Sequence, residues 1–357
     1  MNKRRFQKAL QRLSHLPRGK FLGFYLWNKL HEGMLRAIHS TSVAYPSNIM
    51  LELSSHCNLH CTTCPREYEY GQRMDKGYME LEQAQKIIDE LWPYLDSIGL
   101  TGMGETFLAK DIVAVIDYIK SKNQGIIISA STNAVLPQFL ETITPALGKI
   151  DTVQISIDGL NDVYERIRKN ARFQTFDENL RHLVQLSKNT KTTLLLNMVV
   201  TKENYHQMSD MVEYADAVGI PSLHFALFNL VSVSALSAEY YQFYSSAEFR
   251  EAMRRLHHNQ QQHPAVEVSN WNFESANEFQ KCKFPWGHFY VCWNGFVVPC
   301  CAKPFPKELQ FGNVFDRGMM NVLNSEAYRT FRAGWYKNQA PPFCDHCFYL
   351  DLKPVNL

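Results

Sequence analysis

From residue 48 onward, short β-rich apolar runs alternate with stretches whose apolar positions recur at helical spacing. Residues 48–53 (NIMLEL), 97–100 (SIGL), 126–131 (IIISAS), 152–157 (TVQISI), 192–200 (TTLLLNMVV) and 222–227 (SLHFAL) read as strands. Residues 80–91, 111–122, 137–147, 176–187 and 204–217 read as helices between and after them. Six strand–helix units in succession predict a parallel sheet with helices outside it, because parallel neighbours need crossover connections. Six units are too few for the closed eight-stranded barrel. The expectation is therefore an α/β fold with an open, partial (β/α)6 barrel over residues 45–230. Ligands in such folds gather at the C-terminal ends of the strands.

The flanks read differently. Residues 1–44 form a preface in which Phe6, Leu10 and Leu13 recur at helical spacing, with Lys3, Arg4, Arg5, Lys8 and Arg12 on the other faces. Such a helix packs against the main domain or rests on a membrane surface or an acidic partner. Residues 231–281 read as connecting material around one helix, 247–258. From Cys282 the composition turns to Trp, Pro, Gly and Cys, with hairpin-like pieces at 289–291 and 296–298, which predicts a small C-terminal domain over 282–357.

Charge and composition narrow the function classes. The net charge of +2 over 357 residues gives no support for nucleic-acid binding through bulk charge. No apolar run reaches the roughly 18–20 residues of a membrane-spanning helix, and the basic N-terminus is too interrupted for a secretory signal. The expected location is cytoplasmic, where clustered cysteines more often bind metal than pair. The nine cysteines fall at 57, 61, 64, 282, 292, 300, 301, 344 and 347. This clumping at two separated places predicts two sites.

The first group, Cys57-x-x-x-Cys61-x-x-Cys64, follows the first predicted strand directly. Three thiolates so close can hold three corners of a cubane cluster and leave the fourth iron open to a ligand. A zinc site is the alternative, with His56 or His60 as its fourth ligand. Polar motifs also end the next three strands. They are Gly102-Met103-Gly104-Glu105, Ser131-Thr132-Asn133 and Ser156-Ile157-Asp158-Gly159, with Arg168 soon after. Taken singly, the glycines and the Asp-Gly pair read as turns.

Taken together, over about residues 47–227, these motifs resemble the radical S-adenosylmethionine (SAM) superfamily. The resemblance implies a [4Fe–4S] cluster on Cys57, Cys61 and Cys64 that cleaves SAM reductively to a 5′-deoxyadenosyl radical. It implies that the Gly102–Gly104–Glu105 segment binds the SAM amino group. Ser131, Asn133, Ser156 and Asp158 would line the SAM site, the last two at the ribose, and Arg168 would pair with the SAM carboxylate. Thr63 stands where the family often has an aromatic residue. A flavodoxin- or ferredoxin-type protein would deliver the electron.

The second group resembles the SPASM/Twitch domain of that superfamily: Cys282-Lys-Phe-Pro-Trp, then Gly295 and Cys300-Cys301, Gly312-Asn313-Val314, and Cys344-Asp345-His346-Cys347. No further cysteine follows Cys347, so the resemblance implies one auxiliary [4Fe–4S] cluster on Cys282, Cys300, Cys344 and Cys347. Cys301 is the alternative to Cys300, and a four-thiolate zinc ribbon is the alternative to a cluster. Cys292 reads as a packed thiol. A fully ligated auxiliary cluster favours electron transfer. The leading expectation is oxidation or rearrangement of a small polyol or sugar. The runner-up is maturation of a ribosomally made peptide, and a non-enzymatic zinc module is the reading from another class.

Overall fold

A computed structural model describes residues 16–229, 238–270, 273, 282–339, 341–344 and 347. The proposed 6–13 helix, Asp345 and His346 lie outside them. The centre is a nine-stranded sheet. We number its strands β1 (Asn48–Leu51), β2 (Ser97–Leu100), β3 (Ile127–Thr132), β4 (Thr152–Ser156), β5 (Thr193–Val200), β6 (Ser222–Leu227), β7 (Glu267–Asn270), β8 (Phe289–Val291) and β9 (Val297–Val298). Their spatial order is β9-β8-β1-β2-β3-β4-β5-β6-β7. All neighbours are parallel except the β8–β9 hairpin. The edge strands β7 and β9 are not paired with each other among the described residues.

The six expected strands are therefore present, in chain order, side by side. Three strands flank them in ways the sequence pattern did not show. The hairpin of the C-terminal segment extends the central sheet, with Ile49 opposite Phe289 and Leu51 opposite Val291. At the other edge β7 (EVSN) joins β6 in parallel. Helix bounds also differ from expectation: the 176–187 helix starts at Phe173, and the 247–258 helix runs to Gln262. The 137–147 stretch is an α-helix only over Phe139–Ile143 and continues as a 3-10 turn at Thr144–Ala146, where Pro145 lacks an amide donor. The 204–217 stretch opens with a 3-10 turn and is α-helical over Met208–Val218, closed by Gly219 at φ 81°.

Strict alternation along the strands separates two environments. On one face, Ile98, Leu100, Ile128, Ala130, Val153, Ile155, Leu194 and Leu196 belong to the main hydrophobic core. The helices complete that core with apolar seams such as Ala84, Ile87, Ile88 and Leu91 in Leu81–Leu91. On the other face, Asn48, Met50, Ser97, Thr101, Ser129, Ser131, Thr152 and Gln154 line a single cavity of about 350 Å³. Residues of β1 to β4 meet around one cavity, so the sheet curves about it. Closed eight-stranded barrels fill this interior with branched aliphatic side chains. Here it is hydroxyl- and amide-lined, which suits a ligand.

Candidate functional site

The chain leaves β1 at the C-terminal end of the sheet and enters the cysteine loop. Ser55 N–H donates to Gly77 O (3.1 Å), Cys64 N–H to Cys61 O (3.0 Å) and Thr62 N–H to Ile167 O (2.9 Å). A two-residue antiparallel pairing sets His60–Cys61 against Arg168–Lys169. These bonds make the loop a fixed platform. Burial pushes the thiols up from their ordinary range, Cys61 to about 12 and Cys64 to about 11, and the charges of neighbouring thiols add to the rise. Cys57, Cys61 and Cys64 are thus near enough to feel one another.

The two histidines proposed for zinc have other contacts in the structure. His60 Nδ1 pairs with Glu67 at 2.9 Å, and His56 stacks on Tyr78 at 4.7 Å. Among the described residues no three His, Cys, Asp or Glu side chains group closely enough to share a single metal ion. The fit to a cluster therefore rests on the donor set: three half-buried thiols in one braced loop. One further observation supports it. The Arg168 guanidinium is buried beside Cys61 and Cys57, and its Nε has no hydrogen-bond partner among the described residues. An orphaned buried donor costs about 1–3 kcal/mol unless something accepts from it, and a carboxylate is a suitable acceptor.

The structure places the other expected residues around this loop. Gly102 and Gly104 are close-approach glycines. A Cβ at Gly102 would lie 2.4 Å from Glu52 Cγ, and one at Gly104 would lie 2.4 Å from the His56 carbonyl oxygen. The Glu105 carboxylate accepts N–H bonds from Asn133 (2.7 Å) and Phe107 (3.2 Å), so it splices the ends of β2 and β3. Burial raises its carboxyl to about 7, and those donors hold it from rising further. Asn133 Nδ2 donates to Asn58 Oδ1 at 2.8 Å and lies 3.8 Å from Cys57 Sγ. Ser131 shares a hydroxyl contact with Thr101 at 3.0 Å on the cavity wall. Ser156 is half-buried at the end of β4.

Asp158 has more duties than expected. Its Oδ1 accepts from Val199 N–H (2.9 Å), and its Oδ2 accepts from Thr63 Oγ1 (3.1 Å) and pairs with Arg168 (3.0 Å). Thr63, at the position where an aromatic residue was expected, therefore ties the cysteine loop to β4 and β5. Burial works against the Arg168 charge, but Asp158 and then the nearby thiols outweigh it and hold the group ionised.

Glu52 was missed in the sequence. It is fully buried at the end of β1, on the cavity side by alternation with Asn48 and Met50. Its carboxylate accepts from Met103 N–H (2.8 Å), Tyr290 Oη (3.0 Å) and Trp293 N–H (3.2 Å), and burial raises its pKa. Glu52 thus joins the Gly102–Glu105 segment to the C-terminal domain. An acid inside NIMLEL was the available signal.

In the second group, Cys300 feels Cys301, Cys347, Cys282 and Cys344 electrostatically, and burial raises its pKa most. Cys301 packs with Tyr290, Cys292, Val298 and Met50. Cys282 in turn feels Cys301, so both Cys300 and Cys301 stand beside the thiols of this group. Cys292 is buried, as expected of a packed thiol. The Gly-Asn-Val segment braces this region. Asn313 caps Phe315 N–H (2.8 Å) and donates to Asn294 O (2.9 Å), while Gly295, at φ 85°, leaves room for the Asn313 and Phe315 side chains.

Comparisons with known proteins agree with this geometry. The radical SAM superfamily model matches residues 51–215, and the SPASM iron–sulfur cluster-binding domain model matches residues 282–348. The chain belongs to the radical SAM superfamily. This radical SAM enzyme is 24% identical over 322 residues to the tungsten-containing aldehyde ferredoxin oxidoreductase cofactor-modifying protein of Pyrococcus furiosus, covering 85% of this chain and 87% of that one. It is 24% identical over 327 residues to the antilisterial bacteriocin subtilosin biosynthesis protein AlbA of Bacillus subtilis, covering 90% and 68%. In fold it is similar to Streptococcus suis SuiB bound to S-adenosylmethionine, with a TM-score of 0.66 and 17% identity, covering 93% and 78%. SuiB bound to its precursor peptide SuiA gives 0.65 with 17% identity, covering 85% and 70%.

Membership brings with it a SAM-binding [4Fe–4S] cluster and auxiliary cluster chemistry. When bound, the first cluster supplies the electron that splits SAM. The residues that would hold it are Cys57, Cys61 and Cys64, and Arg168 and Asp158 set the local charge. Among the described residues no helix is long and apolar enough to cross a membrane.

Proposed function

We propose that this radical SAM enzyme matures a ribosomally made peptide by removing hydrogen from a C–H bond of one of its residues. The observation that carries the reading is the cavity inside the curved sheet. Among the described residues its lining is made of neutral hydrogen-bonding and apolar groups together with His288, whose imidazole pKa burial pushes down, toward the neutral form. Such walls suit the amides and neutral side chains of a peptide and offer no counter-charge to a phosphate. Likeness to AlbA in sequence and to the SuiB–SuiA complex in fold supports the same class.

Within this reading, Cys282, Cys300, Cys344 and Cys347 would hold one auxiliary cluster, whose chemistry is electron acceptance. Loss of a hydrogen atom followed by a proton and an electron is a two-electron oxidation of the substrate. Electrons for SAM cleavage would come from a flavodoxin- or ferredoxin-type donor. Oxidation of a small polyol is the second reading, favoured by the hydroxyl-rich walls and by a volume within the ordinary range of small-ligand sites.

The test incubates reconstituted enzyme, SAM and reductant with short peptides encoded beside its gene and, separately, with a set of sugars and cyclitols. The expected result is a peptide lighter by two hydrogens, formed with stoichiometric 5′-deoxyadenosine. Oxidation confined to the polyols would overturn the peptide reading and establish the second.

A further inference from the structure

The helix Lys20–Ala37 keeps much of its apolar surface outward. Inward, Phe21 packs on Trp92 and Leu35 is half-buried, and polar side chains make the directed bonds. Tyr25 Oη donates to Asp96 (2.8 Å), Lys29 Nζ to Asp96 (2.7 Å) and Ser47 (2.6 Å), and Asn28 exchanges two hydrogen bonds with the Tyr45 backbone (2.9 and 3.0 Å). Its outward face is apolar. Phe24, Leu26, Trp27, Leu30, Met34 and, at the C-cap, Ile38 are 46% to 72% exposed. Among the described residues, the other two exposed large hydrophobic side chains are Tyr78 and Leu186, at 40% and 41%. At 100° per residue they span one continuous arc opposite Tyr25, Asn28 and Glu32. A surface helix normally turns its apolar stripe to the core, and a contiguous exposed patch marks an interaction site.

Charge identifies the occupant. The first 41 residues hold nine lysines and arginines against one acid, Glu32. The whole chain holds 37 against 35, so residues 42–357 carry 28 basic and 34 acidic side chains. The positive charge is therefore concentrated in the stretch of sequence that carries the apolar face, and the rest of the chain is acidic. Glu32 itself faces inward, where it accepts from Ser47 (3.2 Å) and Arg36 (2.5 Å). An apolar arc with a tryptophan, set in a basic segment, is the composition that lies in the interface of an anionic bilayer.

We propose that the helix Lys20–Ala37 docks the enzyme on an anionic lipid surface, with Trp27, Leu30 and Met34 in the acyl boundary and the basic N-terminal sequence supplying the attraction to the headgroups. The helix lies on the membrane and does not cross it. This docking is independent of the substrate, and it leaves the cysteine loop, on another part of the fold, free to react.

The experiment is co-sedimentation of the full chain with vesicles of phosphatidylcholine alone and of phosphatidylcholine mixed with phosphatidylglycerol. Binding is expected on the mixed vesicles only, weakening with salt. A Trp27→Ser/Leu30→Ser/Met34→Ser variant should bind at least about tenfold more weakly, given the apolar area removed. Because those side chains are exposed, its melting temperature and its SAM cleavage should match wild type. A fluorescence blue shift on the mixed vesicles should vanish in Trp27→Phe. Absence of binding to the mixed vesicles overturns the proposal, as does full retention of binding by the triple variant. A wild-type dimer that the triple variant converts to monomer, without vesicle binding, reassigns the face to a second copy. Vesicle binding that appears only after residues 1–15 are removed reassigns it to the chain's own first segment.

Discussion

Replacing Gly104 by alanine is expected to abolish SAM cleavage, whereas alanine at Gly99, in β2 of the same segment, leaves it near wild type. The reason is distance. A Cβ at Gly104 would sit 2.4 Å from His56 O, 2.5 Å from Ser54 O and 2.6 Å from Ser55 C. All three atoms are backbone and cannot rotate away. They belong to the stretch that leads into Cys57, and Glu105 N–H also donates to His56 O at 2.8 Å. The methyl group must therefore displace the cysteine loop or break that bond. At Gly99 the nearest contact is the flexible Met50 side chain at 3.4 Å. Misplacement by about an ångström can cost roughly a hundredfold in rate, so at least that loss of 5′-deoxyadenosine formation is expected for Gly104→Ala. Equal activity of the two variants would show that the Gly102–Glu105 segment does not position the loop.

Substituting Cys57, Cys61 and Cys64 together by alanine should remove 5′-deoxyadenosine formation altogether while leaving about four irons bound, the content of one remaining cubane. The two cysteine groups lie in separate stretches of chain, and the thiols that Cys300 feels are Cys282, Cys301, Cys344 and Cys347, none of them from the first loop. Loss of one group should therefore spare the other. The measurements are iron analysis and chromatographic detection of the nucleoside, with circular dichroism to show an intact fold. Persistent cleavage would place the reactive cluster elsewhere.

The strands were legible because alternation is local. SIGL and SLHFAL occupy the positions their patterns gave, Ser97–Leu100 and Ser222–Leu227. The flanking strand β7 was not legible, because EVSN holds one apolar residue and its pairing partner lies more than forty residues earlier. The Lys20–Ala37 helix was hidden for the opposite reason, since its apolar residues occur nearly all around it and give no single stripe.

In the site, spacing alone made the thiols legible, because Cys57, Cys61 and Cys64 lie in one loop. The bracing duties of Asp158 and Glu105 could not be read, since their partners, Val199 N–H and Asn133 N–H, come from other strands. That Cys300 and Cys301 both stand beside the other C-terminal thiols could not be read from spacing, since Cys282 lies eighteen residues earlier.

The most direct test is the iron and sulfide content of anaerobically reconstituted wild-type protein, followed by reduction with dithionite in the presence of SAM. About eight irons and eight sulfides per chain, with formation of 5′-deoxyadenosine and methionine, is the predicted result for two cubanes. Zinc in place of iron, with SAM recovered intact, would contradict it.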